Sequence, residues 1–255
     1  MNNYFNYNLI ASDLTKATKQ VAKNSVVLRD TKYYLANIGN VKSADDLLKN
    51  DRLFGYVMKA FGLSDMIYAK GLIKQVFQGG ITSTSALANR LADPRYKALA
   101  TAFNFAKYGN LTTTFSSTKD SVVTQYNRQT LEENAGQQSD GVRLALYFQR
   151  KASTVTSSYG ILGDAALLKV VQTAFDITLS STGNIDAEAR QIDSKLKVAD
   201  LQNPKKVTAL LQRFTTMYDL ASGSSAPVLD FTGQTSQQGV GLDLVMSLQN
   251  LRTGG

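Results

Sequence analysis

The apolar residues of the chain recur at the spacing of an α-helix over most of its length. After Asp51, five of them lie at i, i+1, i+4, i+5 and i+8, on one face of a helix that Gly62 would end. No segment of useful length alternates apolar and polar residues as a strand does. The pattern predicts an all-α fold, a multi-helix globular bundle of ten or more helices. The apolar stripe consists of Leu53, Phe54, Val57, Met58 and Phe61.

Polar residues and glycines mark where several of these helices begin and end. Ser43 followed by Asp46 resembles a capping box, in which each residue satisfies a backbone amide of the first turn. Asp93 supplies an N-cap acceptor to a helix that starts at Pro94, where the missing N–H costs nothing. Gly136 is expected to close the helix that follows residues 117–120.

Two stretches of the chain echo one another at an offset of 114 residues. Leu53 corresponds to Leu167, and the pair Ala60-Phe61 corresponds to Ala174-Phe175. The sequence Leu91-Ala-Asp-Pro94 is likewise echoed by Leu201-Gln-Asn-Pro204. The echo predicts a duplicated helical module with units 51–105 and 165–221, and chance similarity between amphipathic helices is the alternative.

Composition divides the chain into four regions. An N-terminal helical segment (1–42) precedes a helical core domain (43–221), a flexible Ser/Gly/Gln linker (222–239) and a C-terminal helix (240–255). Each terminal segment either folds back on the core or becomes ordered on a partner. The C-terminal segment is the candidate partner-docking element, through Leu242, Leu244, Val245, Leu248 and Leu251.

The chain contains no His and no Cys. Without His it lacks the side chain that most often acts as general acid or base near neutral pH, and the commonest metal ligand. Without Cys it has no thiolate nucleophile, disulfide or Cys-ligated zinc. We therefore expect no catalytic residues, no metal site and no cofactor, although an enzyme built on Asp, Glu, Lys, Ser, Thr or Tyr stays open.

The formal net charge of +8 raises the question of nucleic-acid binding. The longest basic runs are the pairs Arg150-Lys151 and Lys205-Lys206, and most other basic residues have acids close by. Phosphate recognition needs Lys and Arg concentrated on one face, so this distribution argues against a nucleic-acid partner. No apolar run is long enough to span a bilayer, and the first residues do not resemble a cleaved signal. Cytoplasmic residence is the default, with export by a route that removes no peptide as the alternative.

Candidate chemistry is confined to three short features. Gly160-Ile-Leu-Gly163 precedes a helix and could bind an anion there, although no P-loop Lys follows. Arg90, Asp93 and Arg95 form a charge cluster at a helix junction, which capping and ion pairing explain and for which a recognition site is the alternative. Glu132 and Glu133 are adjacent, so the two side chains cannot share a helix face.

These residues also carry a family resemblance. Leu87-Ala-Asn-Arg-Leu-Ala-Asp-Pro-Arg-Tyr96, Tyr126-Asn-Arg-Gln129, Arg143-Leu-Ala-Leu146 and Gly160-Ile-Leu-Gly163 occur in the order seen in the bacterial family called domain of unknown function 1217. The resemblance covers residues 45–221. It implies a helical protein, often encoded beside flagellar basal-body and rod genes, with no assigned reaction and no established catalytic residues.

Together these observations predict a non-enzymatic structural, assembly or chaperone-like protein associated with the bacterial flagellum. The expected partner is a protein, such as a rod, hook or export component. Two alternatives stay open: a basic nucleic-acid-binding or regulatory helical protein, if the fold gathers the scattered Lys and Arg on one face, and an enzyme of unknown type.

Overall fold

The computed structural model describes residues 2–179 and 183–222, which form α-helices joined by short loops and 3-10 turns. No strand occurs within these residues, so the predicted all-α class is confirmed. The predicted C-terminal helix, with its docking residues Leu242, Leu244, Val245, Leu248 and Leu251, lies outside the described residues, as does the predicted linker beyond residue 222.

The helices are numbered here in chain order. They are α1 (Asn3–Ser12), α2 (Leu14–Ala22), α3 (Ser25–Asn37), α4 (Ala44–Lys49), α5 (Asp51–Ala60), α6 (Lys70–Gly79), α7 (Leu87–Arg90), α8 (Pro94–Ala102), α9 (Phe105–Tyr108), α10 (Asp120–Gln138), α11 (Asp140–Lys151), α12 (Ser158–Leu162), α13 (Ala165–Phe175), α14 (Ile185–Asp193) and α15 (Pro204–Ala221).

The apolar side chains collect into two cores. The first core is built by α3 to α9 and the start of α10, and its centre includes the predicted stripe of α5, which is buried. Phe61 meets the ring of Phe103 edge-on, with the ring centroids 6.3 Å apart. The second core is built by α1 and by α11 to α15, and it centres on Phe148, Val171 and Phe214.

Helix α10 belongs to both cores. Val122 and Tyr126 near its start lie in the first core, whereas Ala135 near its end lies in the second. The helix packs against α5 on one side and against α11 on another. The residues between these two ends of α10 therefore lie where the two cores meet.

Helix boundaries follow the caps that the sequence indicates, with one exception. Ser43 accepts a hydrogen bond from the amide of Asp46, and α5 stops before Gly62, whose φ is +71°. The prediction that Gly136 ends a helix is wrong, because α10 continues through it to Gln138. Glycine serves packing at this position: a Cβ there would lie 2.7 Å from Cδ of Arg143, so its absence makes room for that side chain.

The beginning of the chain is attached to the end of α15. The backbone N–H and the side-chain amide of Asn3 both donate to Oδ1 of Asp219, at 2.9 and 2.6 Å. Further along α1, Asn8 accepts a weak hydrogen bond from Gln212 at 3.5 Å. Helix α1 thus packs antiparallel to α15 and contributes Tyr7 to the second core.

Candidate functional site

Charged and polar side chains surround a cavity of about 370 Å³ between the two cores, here called the polar cleft. One wall comes from the first core, through Gly62 after α5 and the start of α8. The opposite wall comes from α11 and the start of α13, and α10 forms the third side. Its polar lining residues include Asp93, Arg95, Gln129, Glu132, Tyr147 and Asp164.

Asp93 and Arg95 form a tight pair at the edge of the cleft. Asp93 is the N-cap of α8 and accepts a hydrogen bond from the Arg95 amide at 2.9 Å. The same carboxylate pairs with the Arg95 guanidinium, whose Nη2 lies 2.7 Å from Oδ2. Arg95 also donates to the carbonyl of Gly62, so this pair ties α8 to the end of α5.

The surroundings of Arg95 keep it charged. Burial acts to lower its pKa, but the hydrogen bond and the negative charge of Asp93 outweigh burial and raise the pKa overall. Arg90, the third member of the predicted junction cluster, is exposed and does not line the cleft. The structure therefore brings Asp93 and Arg95 together and leaves Arg90 outside.

A second charged group crosses from α10 to α11, and we call it the ion-pair ladder. At its centre Glu132, which is 1% exposed, accepts hydrogen bonds from Nε of Arg128 at 2.9 Å and Nε of Arg150 at 2.9 Å. Nη2 of Arg150 adds a third bond to the other carboxylate oxygen at 2.6 Å. Arg128 in turn donates to the carbonyl of Leu146 at 2.7 Å. The buried carboxylate is thus matched by two guanidinium groups.

Asp164 forms the far wall of the cleft. It is the N-cap of α13, accepting from the amides of Ala166 and Leu167 at 3.0 and 3.1 Å. The hydroxyl of Tyr147 donates to the same carboxylate at 2.6 Å. Burial, followed by the charge of Asp164, raises the pKa of Tyr147 far above its ordinary value. The phenol therefore stays protonated at neutral pH and acts as a fixed hydrogen-bond donor.

The glycine motif does not leave an open anion site. Gly160 lies within α12, and Gly163 follows that helix directly before Asp164. The first-turn amides that would bind an anion at the start of α13 are occupied by the Asp164 carboxylate instead. Within the described residues no group of three or more Asp and Glu side chains is placed to hold a metal ion, and no described helix could cross a membrane.

Sequence reasoning missed the ion-pair ladder, although half of it has a sequence signal. Arg128 and Glu132 lie four residues apart on one helix face, which Leu131 and Ala135 share. An Arg–Glu pair among apolar neighbours at this spacing indicates a buried ion pair. The contribution of Arg150 has no such local signal, because it depends on how α11 packs against α10.

The fold and the cleft define an all-α protein with two helical cores. The cores meet at a polar cleft in which each acidic side chain is bound by an Arg or Tyr side chain. A family model described as "Protein of unknown function (DUF1217)" matches residues 60–207, and the chain belongs to this family. It is also similar to the X-ray crystal structure of the protein AGR_C_984 from Agrobacterium tumefaciens. That similarity has 42% sequence identity and a TM-score of 0.81, and it covers 86% of this chain and 94% of that chain. A search of curated proteins found no match.

Proposed function

We propose that this protein is a non-enzymatic structural, assembly or chaperone-like protein that acts by binding protein components of the bacterial flagellum. One observation supports the non-enzymatic part: each acid of the polar cleft is held by partners within the protein. Asp93 binds Arg95, Glu132 binds two arginines, and Asp164 binds Tyr147 and the start of α13.

General acid–base catalysis needs a side chain whose reactive atom can reach the substrate's proton. The carboxylate oxygens of the cleft acids accept hydrogen bonds from helix N-terminal amides and guanidinium groups. This arrangement is expected where acids stabilise the contact between two parts of a fold. On this proposal the cleft holds the two cores in one orientation, and function depends on the outer surface of the protein.

The flagellar part of the proposal is an expectation from the family to which the chain belongs, because the resemblance implies genes encoded beside those of the flagellar basal body and rod. The test is removal of the gene from the native cell, with swimming as the readout, together with capture of the tagged full chain and mass spectrometry of co-purifying proteins. We expect impaired swimming and recovery of a rod, hook or export component. Normal swimming with no flagellar protein recovered would contradict the proposal.

The candidate docking element is tested in the same cells. A chain that ends at residue 239 lacks all five docking leucine and valine residues of the C-terminal segment. We expect this shortened chain to keep the helical circular dichroism of the full chain but to recover less of the partner. Equal recovery by the two chains would remove the C-terminal segment from the proposal and leave the rest intact.

A further inference from the structure

The second core carries a groove that shares no lining residue with the polar cleft. It encloses about 480 Å³ and is formed by the loop after α14, the 3-10 turn Val198–Gln202 and the first turns of α15. Phe175, the last residue of α13, also lines it. We call it the basic groove.

The floor of the basic groove is apolar. Leu196, Leu201 and Leu210 are 6%, 2% and 8% exposed, so their side chains are recessed. Ala209 lines the groove from α15 at an exposed position and, having only a methyl group, leaves space above this floor. A recessed apolar floor with space above it accepts a projecting apolar side chain from a ligand.

The rim of the groove is cationic. Lys195 and Lys197 flank Leu196 in the chain and are exposed, and neither forms an ion pair with any described residue. Lys206 pairs with Asp200 at 2.6 Å. Arg213 donates to the carbonyl of Ala174 at the end of α13 and lies over the Phe175 ring, 5.4 Å from its centroid. Two of the four rim cations are therefore engaged within the protein, and the two lysines remain for a ligand.

We propose that the basic groove binds an acidic amphipathic segment of a protein partner. The apolar side chains of that segment occupy the leucine floor, and its Asp or Glu side chains meet Lys195 and Lys197. This inference rests on the proposed protein-binding function and names the class of partner and the surface that receives it. The two exposed lysines favour a ligand with negative charge, because opposite charges attract. The recessed apolar floor favours a ligand that also carries apolar side chains on one face.

The shape of the groove favours a peptide over the two other anionic classes. A lipid bilayer presents a flat surface, which cannot reach leucines that are recessed behind a lysine rim. Nucleic acid binds mainly through its phosphates, which gain nothing from an apolar floor. A peptide side chain projects far enough to use the floor and the rim together.

The test uses the full chain and a display library of random linear peptides, followed by affinity measurement with the synthetic peptide that the selection enriches. We expect enriched peptides to combine Asp or Glu with Leu, Ile or Phe at helical spacing. The double variant Lys195→Glu/Lys197→Glu should bind that peptide about tenfold more weakly or worse, because two attractions become repulsions. Affinity for the unchanged protein should fall as salt rises.

Two further variants distinguish binding in the groove from a general attraction of the peptide to the positive charge of the protein. Ala209→Trp fills the space above the floor from an exposed helical position and should also abolish binding, with circular dichroism as the check of folding. Lys16→Glu/Lys32→Glu makes the same change in net charge at exposed lysines that do not line the groove, and it should bind the peptide normally.

Several outcomes overturn the inference. These are selection of no peptide, selection of peptides without the acidic amphipathic pattern, and equal binding by the Lys195→Glu/Lys197→Glu variant. Binding of phosphatidylserine vesicles or of duplex DNA that displaces the peptide and is lost in the same variant would assign the groove to lipid or nucleic acid. If the peptide results hold but cells without the gene swim normally and no flagellar protein is captured, the proposed function fails while the groove assignment stands.

Discussion

Glu132 is the buried acid that ties α10 to α11 through two arginines. Replacing it with Gln keeps the shape of the side chain but leaves Arg128 and Arg150 without their shared counter-charge. Breaking a buried ion pair by removing one partner costs about 3–5 kcal/mol of unfolding free energy, and we expect Glu132→Gln to fall in this range. Urea unfolding followed by circular dichroism measures the loss.

The adjacent residue provides a matched control for Glu132→Gln. Glu133 is partly exposed and pairs with Lys59 of α5 at 3.0 Å, where the two side chains are 36% and 29% exposed. Surface ion pairs contribute up to about 1 kcal/mol, so Glu133→Gln should change stability by no more than that amount. Similar losses of unfolding free energy in Glu132→Gln and Glu133→Gln would show that the buried ion pairs of Glu132 contribute no more to stability than the partly exposed pair of Glu133.

Asp93 combines a helix cap with an ion pair, and two substitutions separate these roles. Asp93→Asn keeps a side-chain oxygen for the amide of Arg95 but removes the charge opposite the guanidinium. We expect a loss of about 1 kcal/mol for Asp93→Asn and about 2 kcal/mol for Asp93→Ala, measured in the same urea experiment. If Asn and Ala destabilise equally, the cap contributes nothing measurable.

At the scale of the helix, the two positions matched by the sequence echo differ in their surroundings. Phe61 after α5 is 6% exposed and contacts Phe103 within the first core. Phe175 at the end of α13 is only partly buried and lies under Arg213 at the basic groove. Phe61→Ala should therefore cost about 3–5 kcal/mol, and Phe175→Ala distinctly less. Equal losses in thermal or urea unfolding would mean that the two sites are equivalent after all.

Several helices can be predicted from the sequence, because their apolar faces and their capping residues are set by residues close together in the chain. The stripe from Leu53 to Phe61 sets the buried face of α5, and Asp93 before Pro94 marks the start of α8. Gly136 was misleading because glycine served packing there: its missing side chain admits Arg143 from the next helix. Such a reason depends on a neighbour in space and leaves no mark in the local pattern.

The candidate site was predicted less completely for the same physical reason. Asp93 and Arg95 are two residues apart, so their pairing could be anticipated from the sequence. The cleft itself requires Tyr147 and Asp164 from the second core to face Arg95 from the first. The basic groove likewise joins Lys195 and Lys197 to Leu210 of α15, which no local spacing indicates.

At the scale of the whole molecule, buried tyrosines make stability depend on pH in the alkaline range. Burial raises the pKa of Tyr7 and of Tyr126 from 10.0 to about 12, and it raises the pKa values of Tyr34 and Tyr56 further still. The unfolded chain then loses these protons at lower pH than the folded protein. Stability is therefore full below pH 10 and falls as the pH rises towards 12, by about 1.4 kcal/mol per pH unit for each tyrosine.

The measurement is urea unfolding as a function of pH, with tyrosinate absorbance recorded in parallel. Tyr7→Phe is the informative variant, because the Tyr7 hydroxyl is buried without a hydrogen-bond partner among the described residues. Its removal should leave stability at neutral pH unchanged or slightly higher and should make the alkaline decline shallower. An unchanged decline would show that Tyr7 ionises in the folded state as easily as in the unfolded chain.

The attachment of Asn3 to Asp219 determines how the protein would respond to mechanical force. Helices α1 and α15 are antiparallel, so residue 3 and residue 219 lie at the same end of the helix pair. Force applied between these two points loads the contacts one after another, beginning with the hydrogen bonds of Asn3, in the manner of a zipper. A chain pulled from these points should therefore release α1, with Tyr7, before helices α11 to α15 separate from one another.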